Sequence, residues 1–174
     1  MRVTKKLTLS AALVALGTLF LTLGGIFGVL ELTAAALASL LVVFAYIEIG
    51  SPYYWLVWLA TSLLSALLFF GSTVWGVYLL IFGLYPIVKA FIERLKKAFW
   101  IPLKLVFAVL ATLALMALEK LVFGVPLFNT ELVWLAVLMF LGCVLAMLLF
   151  DYFLTVMIRV YISKYRKLFM RLLK

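Results

Sequence analysis

A chain of 174 residues that is 70% hydrophobic and 12% charged, with a mean hydropathy of +1.36, lies far outside soluble composition, which is about half apolar and a quarter charged. Its net charge of +9 comes from Lys and Arg clustered beside apolar runs, where anionic lipid headgroups account for them, so nucleic acid is not an expected partner. With no histidine and a single cysteine, the chain lacks Ser-His-Asp and Cys-His nucleophiles, His-ligated zinc or haem, and any internal disulfide.

A bilayer core takes roughly 20 apolar residues per helix, so this length predicts an all-α, polytopic bundle of about six spans in one integral membrane domain. The first, about residues 7–30, follows the basic start Arg2, Lys5, Lys6. Ala36-Leu37-Ala38 imitates a signal cleavage site, but a secretory apolar region spans only about 7 to 15 residues, so the segment is read as a retained helix. The second, about residues 32–49, starts beyond Glu31 and ends at the turn signal Gly50-Ser51-Pro52.

The following uncharged run is too long for one crossing, and Gly71-Ser72 divides it into a third segment, about 53–70, and a fourth, about 73–92. Pro86 in the fourth removes a backbone N–H and predicts a kink. Lys89 and the loop residues Glu93, Arg94, Lys96 and Lys97 close that segment. The fifth, about 100–118, carries Pro102 in its first turn, where the missing N–H costs least, and is expected to end at Glu119-Lys120.

A connection over 121–130 contains Gly124, Pro126 and Asn129, and long loops in compact proteins are often functional. The sixth segment, about 131–160, leads into 161–174, a basic helical extension suited to an anionic membrane surface. Alternating the loops places every basic cluster on one side, so the positive-inside rule puts both termini in the cytoplasm. Tyr53-Tyr54-Trp55, Trp75, Trp100 and Trp134 stand at segment starts, as interfacial aromatics do.

Three sets of residues are candidates for function. Ala11 and Ala15 form a small-xxx-small pattern on the first helix, repeated at Gly24-Gly25-Ile26-Phe27-Gly28, and such spacing lets helices approach closely in lipid. It serves either a separate partner helix or packing within the chain. Glu48, Lys89, Lys104 and Asp151 fall at nearly one depth from the basic end. Burying an unpaired charge in lipid costs several kcal/mol, so they are expected to pair in one layer or face a wet cavity, as a structural cluster or a gate. Glu31, Glu119, Lys120 and Asn129 lie at the opposite end, where they would meet a solute arriving from outside. No metal-ligand spacing occurs, so no metal or cofactor is expected and the chain is read as a non-enzyme.

The run Lys-Leu-Thr-Leu-Ser-Ala-Ala-Leu-Val-Ala-Leu at 6–16, together with the chain length and six segments, resembles the S components of energy-coupling-factor (ECF) vitamin transporters. The stretch Phe82-Gly83-Leu84-Tyr85-Pro86-Ile87-Val88-Lys89 is similar to bacterial membrane proteins related to them. The resemblance implies a plasma-membrane subunit that captures a small solute at the extracytoplasmic face. It also implies a transmembrane coupling subunit with ATPase subunits as partners, docked at Ala11 and Ala15. In that family the loop after helix one helps close the pocket, whereas here it is only a few residues around Glu31. The alternative is a structural or regulatory protein that binds membrane lipid or a partner through its basic C-terminal helix.

Overall fold

The computed structural model describes residues 3–124 and 133–166. All their regular structure is helical: α1 (Val3–Phe27), α2 (Glu31–Phe44), α3 (Tyr53–Leu68), α4 (Val74–Val77), α5 (Tyr85–Ile92), α6 (Trp100–Phe123) and α7 (Val133–Val160). Wide π-helical turns extend α2 over Ala45–Ile49, α4 over Tyr78–Phe82 and α7 over Tyr161–Tyr165. Five helical segments among the described residues are long and apolar enough to cross a membrane, and α3, at 16 residues, is a shorter apolar helix.

Side-chain exposure agrees with a lipid solvent. Ile101 is 77% exposed, Leu67 80% and Leu121 86%, a distribution that in water would leave apolar patches far larger than monomers tolerate. Two cores meet along α2. One joins Leu13 and Leu21 of α1 to Ala35, Ala38 and Val42 of α2 and Val57 of α3. The other joins Val43 of α2 to Tyr85 of α5, Ala108 and Ala111 of α6, and Phe150 and Leu154 of α7.

Packing in lipid depends on close approach rather than on expelling water, and the glycines of α1 are used that way. A Cβ on Gly24 would stand 2.5 Å from the Ala34 Cβ, and one on Gly17 would stand 3.0 Å from Thr61 Cγ2. The Ala34 methyl has no torsion by which to retreat. Gly24→Ala is therefore expected to cost about 1–3 kcal/mol, the usual range for overpacking, read as a lower unfolding temperature in detergent with the helical signal unchanged. Several hydroxyls along these interfaces bond within their own helices, as in Ser65 Oγ to Thr61 O at 2.7 Å and Thr112 Oγ1 to Ala108 O at 2.8 Å, which satisfies them without exposing polar surface to lipid, whereas the buried Ser39 Oγ and Thr61 Oγ1 have no hydrogen-bond partner among the described residues.

The kink expected at Pro86 is a full interruption. Gly83 N donates to Tyr78 O at 2.7 Å, five residues back, so Leu79 O loses its usual acceptor role within the helix. Trp58 Nε1 of α3 donates to Leu79 O at 3.1 Å, the sort of rescue by a neighbouring helix that makes a broken span tolerable in lipid. Only glycine fits at 83, because a Cβ there would lie 2.6 Å from Trp58 Cδ1 and 2.9 Å from Tyr78 O. Pro86 then opens α5 within its first two positions, where its missing N–H has no partner to lose.

Two further expectations need correction. The fifth segment does not stop near 118: α6 runs to Phe123 and ends at Gly124, which takes the left-handed conformation with φ 66°. Charges at Glu119 and Lys120 do not break a helix, whereas a left-handed glycine does. Nor do all the boundary aromatics turn outward. Tyr54 and Trp75 are buried; Trp75 stacks on Phe70 at 5.8 Å and donates to Phe70 O at 3.3 Å.

The three basic clusters gather at one end of the bundle. Lys6 lies over the Tyr53 ring, Arg94 Nη2 donates to Tyr46 Oη at 2.7 Å, and Arg166 Nε reaches Glu48 at 3.2 Å. The turn after α1 and the end of α6 therefore lie at the other.

Candidate functional site

The most concentrated chemistry sits where α5, α6 and α7 converge at the basic end. Lys89 projects from α5 behind the helix break, Lys104 from the second turn of α6, and Asp151 from the middle of α7. The structure brings these three together and adds a fourth group, Glu93, one turn beyond Lys89. Lys89 Nζ pairs with Asp151 Oδ1 and lies 3.0 Å from Glu93 Oε1. Lys104 Nζ lies 2.7 Å from Asp151 Oδ2 and 3.3 Å from the same Glu93 oxygen. The result is a closed ring of alternating sign, two cations against two carboxylates, with no net charge.

Burial makes the ring consequential. The Lys89 side chain is 2% exposed and that of Lys104 11%, so neither ammonium reaches free water by snorkelling. Lys89 completes its donors on Thr155 Oγ1 at 2.7 Å and the Asp151 carbonyl at 3.3 Å. Thr155 in turn donates to the Asp151 carbonyl at 2.8 Å. Tyr85 packs beside the ring, 5.6 Å from Phe107 and 6.1 Å from Phe150 between ring centres. Desolvated charges persist only when pairing and hydrogen bonds are this complete. The ring links α5, α6 and α7 through their side chains.

Glu48 does not join it. Its nearly buried side chain accepts from Tyr161 Oη at 3.2 Å and pairs with Arg166 Nε at 3.2 Å. This second polar knot ties the end of α2 to the wide turn after α7. Sequence reasoning missed Glu93, Tyr161 and Arg166. Glu93 was legible in its i,i+4 spacing from Lys89, whereas nothing local marks a partner for Glu48 more than a hundred residues away.

At the opposite end, Glu31 opens α2 and accepts from Thr73 Oγ1 at 3.4 Å. Glu119 is half-buried and Lys120 exposed in the last turns of α6, and among the described residues no ion pair joins either to Glu31. Asn129 lies outside the described residues. The space near this end between α1, α3 and α4, lined by Thr22, Ser65, Ser72 and Trp75, is too narrow to admit water.

Ala11 and Ala15 are exposed on the outer face of α1. Ala15 lines an open groove of 490 Å³ with Thr18, Leu19 and Thr22 of α1 and Leu64, Leu67 and Leu68 of α3. The small residues of α1 thus include glycines used in packing, Gly17, Gly24 and Gly25, and exposed alanines, Ala11, Ala12 and Ala15. Among the described residues there is no group of three or more His, Cys, Asp or Glu able to hold a metal ion. Compared with protein-family models, curated proteins and solved structures, the chain finds no significant match.

Proposed function

We propose that this chain is an integral subunit of a small-molecule importer, similar to an ECF S component. In this reading it crosses the plasma membrane six times with its basic end in the cytoplasm, takes a solute from the extracytoplasmic face, and works by binding and movement against a coupling partner. The observation that supports the reading is the outward placement of Ala11 and Ala15, the second of them lining an open groove, while the glycines of the same helix are consumed internally. Two small exposed positions one turn apart give a partner helix a flat strip on which its backbone can come close. The positive-inside rule supports the orientation, since the three basic clusters share one end.

Ala11→Leu combined with Ala15→Leu is expected to abolish co-purification of a transmembrane partner with the tagged protein, and solute uptake with it. The fold should be untouched, because neither methyl is buried. Recovery of the same partners by the double variant would refute the reading. A structural or regulatory role for the basic C-terminal segment is the second reading, favoured by the Glu48–Arg166 pair that ties Arg166 to the end of α2. Its signature is lipid binding with no coupling subunit captured by the wild-type chain.

A further inference from the structure

A hollow of different character lies away from both the charged ring and the alanine groove. Between α1, α2 and the end of α7 runs an apolar groove of 420 Å³, within the range of about 300–1,000 Å³ typical of ligand sites. Its walls include Leu13 and Leu16 of α1, Leu40 and Phe44 of α2, and Met157 and Tyr161 near the end of α7. Leu16 and Met157 are 43% and 37% exposed, so the groove opens on the flank of the bundle, where acyl chains are the solvent.

The mouth of the groove carries charge. Tyr161 stands in the wall and donates to Glu48, and Glu48 holds Arg166 by its Nε alone. A guanidinium has five N–H donors in a planar fork, so an ion pair made through Nε does not exhaust its capacity for a second acceptor. Arg166 remains 46% exposed. Lys164, two residues earlier, is exposed and has no acidic partner among the described residues, and the chain beyond Arg166 contains no carboxylate side chain. One carboxylate thus stands against two cations, at the end of the bundle where all the basic clusters gather.

We propose that this groove holds one acyl chain of an anionic phospholipid, whose phosphate is bound by Arg166 in the positive field of the unpaired Lys164. The apolar walls select a hydrocarbon tail, and the planar fork selects a phosphate that presents paired oxygens. Glu48 and Tyr161 are positioning residues that set the guanidinium at the depth of the headgroups. The site does not depend on the importer reading, since it shares no residue with the Ala11 and Ala15 strip.

The test is native mass spectrometry of the full-length protein in mild detergent, after incubation with phosphatidylglycerol or phosphatidylcholine. Wild-type protein is expected to retain one phosphatidylglycerol per chain and to bind it roughly tenfold more tightly than phosphatidylcholine, which offers the same phosphate but whose choline cation cancels the net charge that the basic end attracts. Leu16→Trp with Met157→Trp, which fills the groove from its exposed rims, should remove the retained lipid without altering the unfolding temperature. Arg166→Gln should keep weak retention and erase the preference between headgroups. Equal retention of the two lipids by wild-type protein overturns the proposal, as does retention that ignores the tryptophans. So does a two-chain mass lost on Leu16→Trp, which would make the occupant a second copy of this chain.

Discussion

Asp151→Leu is expected to lower the stability of the bundle by about 3–5 kcal/mol, the usual cost of leaving a buried charge without its partner. Asp151 gives one carboxylate oxygen to each lysine of the ring, so its loss strands two cations on the single oxygen of Glu93. Lys89, 2% exposed, has no path by which its ammonium can recover water. The companion experiment separates charge imbalance from lost volume. Lys89→Met combined with Asp151→Leu removes one cation and one anion, leaves Lys104 paired with Glu93, and should recover most of the stability. Buried ion pairs replaced as a unit by apolar side chains are often neutral or better. Unfolding midpoints in detergent for the two single variants and the double give the coupling directly. A single variant no worse than Leu105→Ala, a truncation on the exposed face of α6, would show that the ring carries no such weight.

Gly83→Leu is expected to be nearly as damaging, by about 3 kcal/mol, the upper end for overpacking. The glycine has an indole on one side and the Tyr78 ring and carbonyl on the other, all within 2.9 Å of where a Cβ would stand. An indole or phenol ring can yield only by moving α3 or the wide turn. The Tyr78 carbonyl can yield only by unwinding the turn itself. The distinguishing readout is the Trp58 bond to Leu79 O: tryptophan fluorescence should shift in Gly83→Leu and stay constant in Gly71→Leu, where a Cβ meets nothing within 4 Å. An unchanged Gly83→Leu melting curve would count against a tightly closed break.

The helices were legible because lipid imposes a one-dimensional rule: uncharged runs of sufficient length become helices and Gly-Pro clusters divide them. The division at Gly71-Ser72 and the turn at Gly50-Ser51-Pro52 follow from it. The meeting of Lys89, Lys104 and Asp151 was legible too, since depth along a helix is a matter of 1.5 Å per residue. Depth does not give azimuth. Glu48 lies at a comparable distance from its turn yet points to Tyr161 and Arg166, because the rotation of α2 is set by packing that the sequence of α2 alone does not contain. The wide turns were illegible for a similar reason. Tyr78–Phe82 is an ordinary apolar stretch, and its extra residue per turn is maintained by Trp58 from another helix and by the absence of a side chain at Gly83.

The buried residues of α7 are Met147, Phe150 and Leu154, the last beside Asp151, while Val137, Leu138 and Leu141 towards its other end stand exposed. A rod fastened near its middle behaves as a lever with two arms whose fulcrum is the fastening. The arm from Phe150 back to Val133 is about 25 Å long, so a tilt of 10° about the fulcrum carries the far tip sideways by about 4 Å. A tilt small enough to keep the four charges paired would thus displace both ends of the helix by several times the shift at the charges.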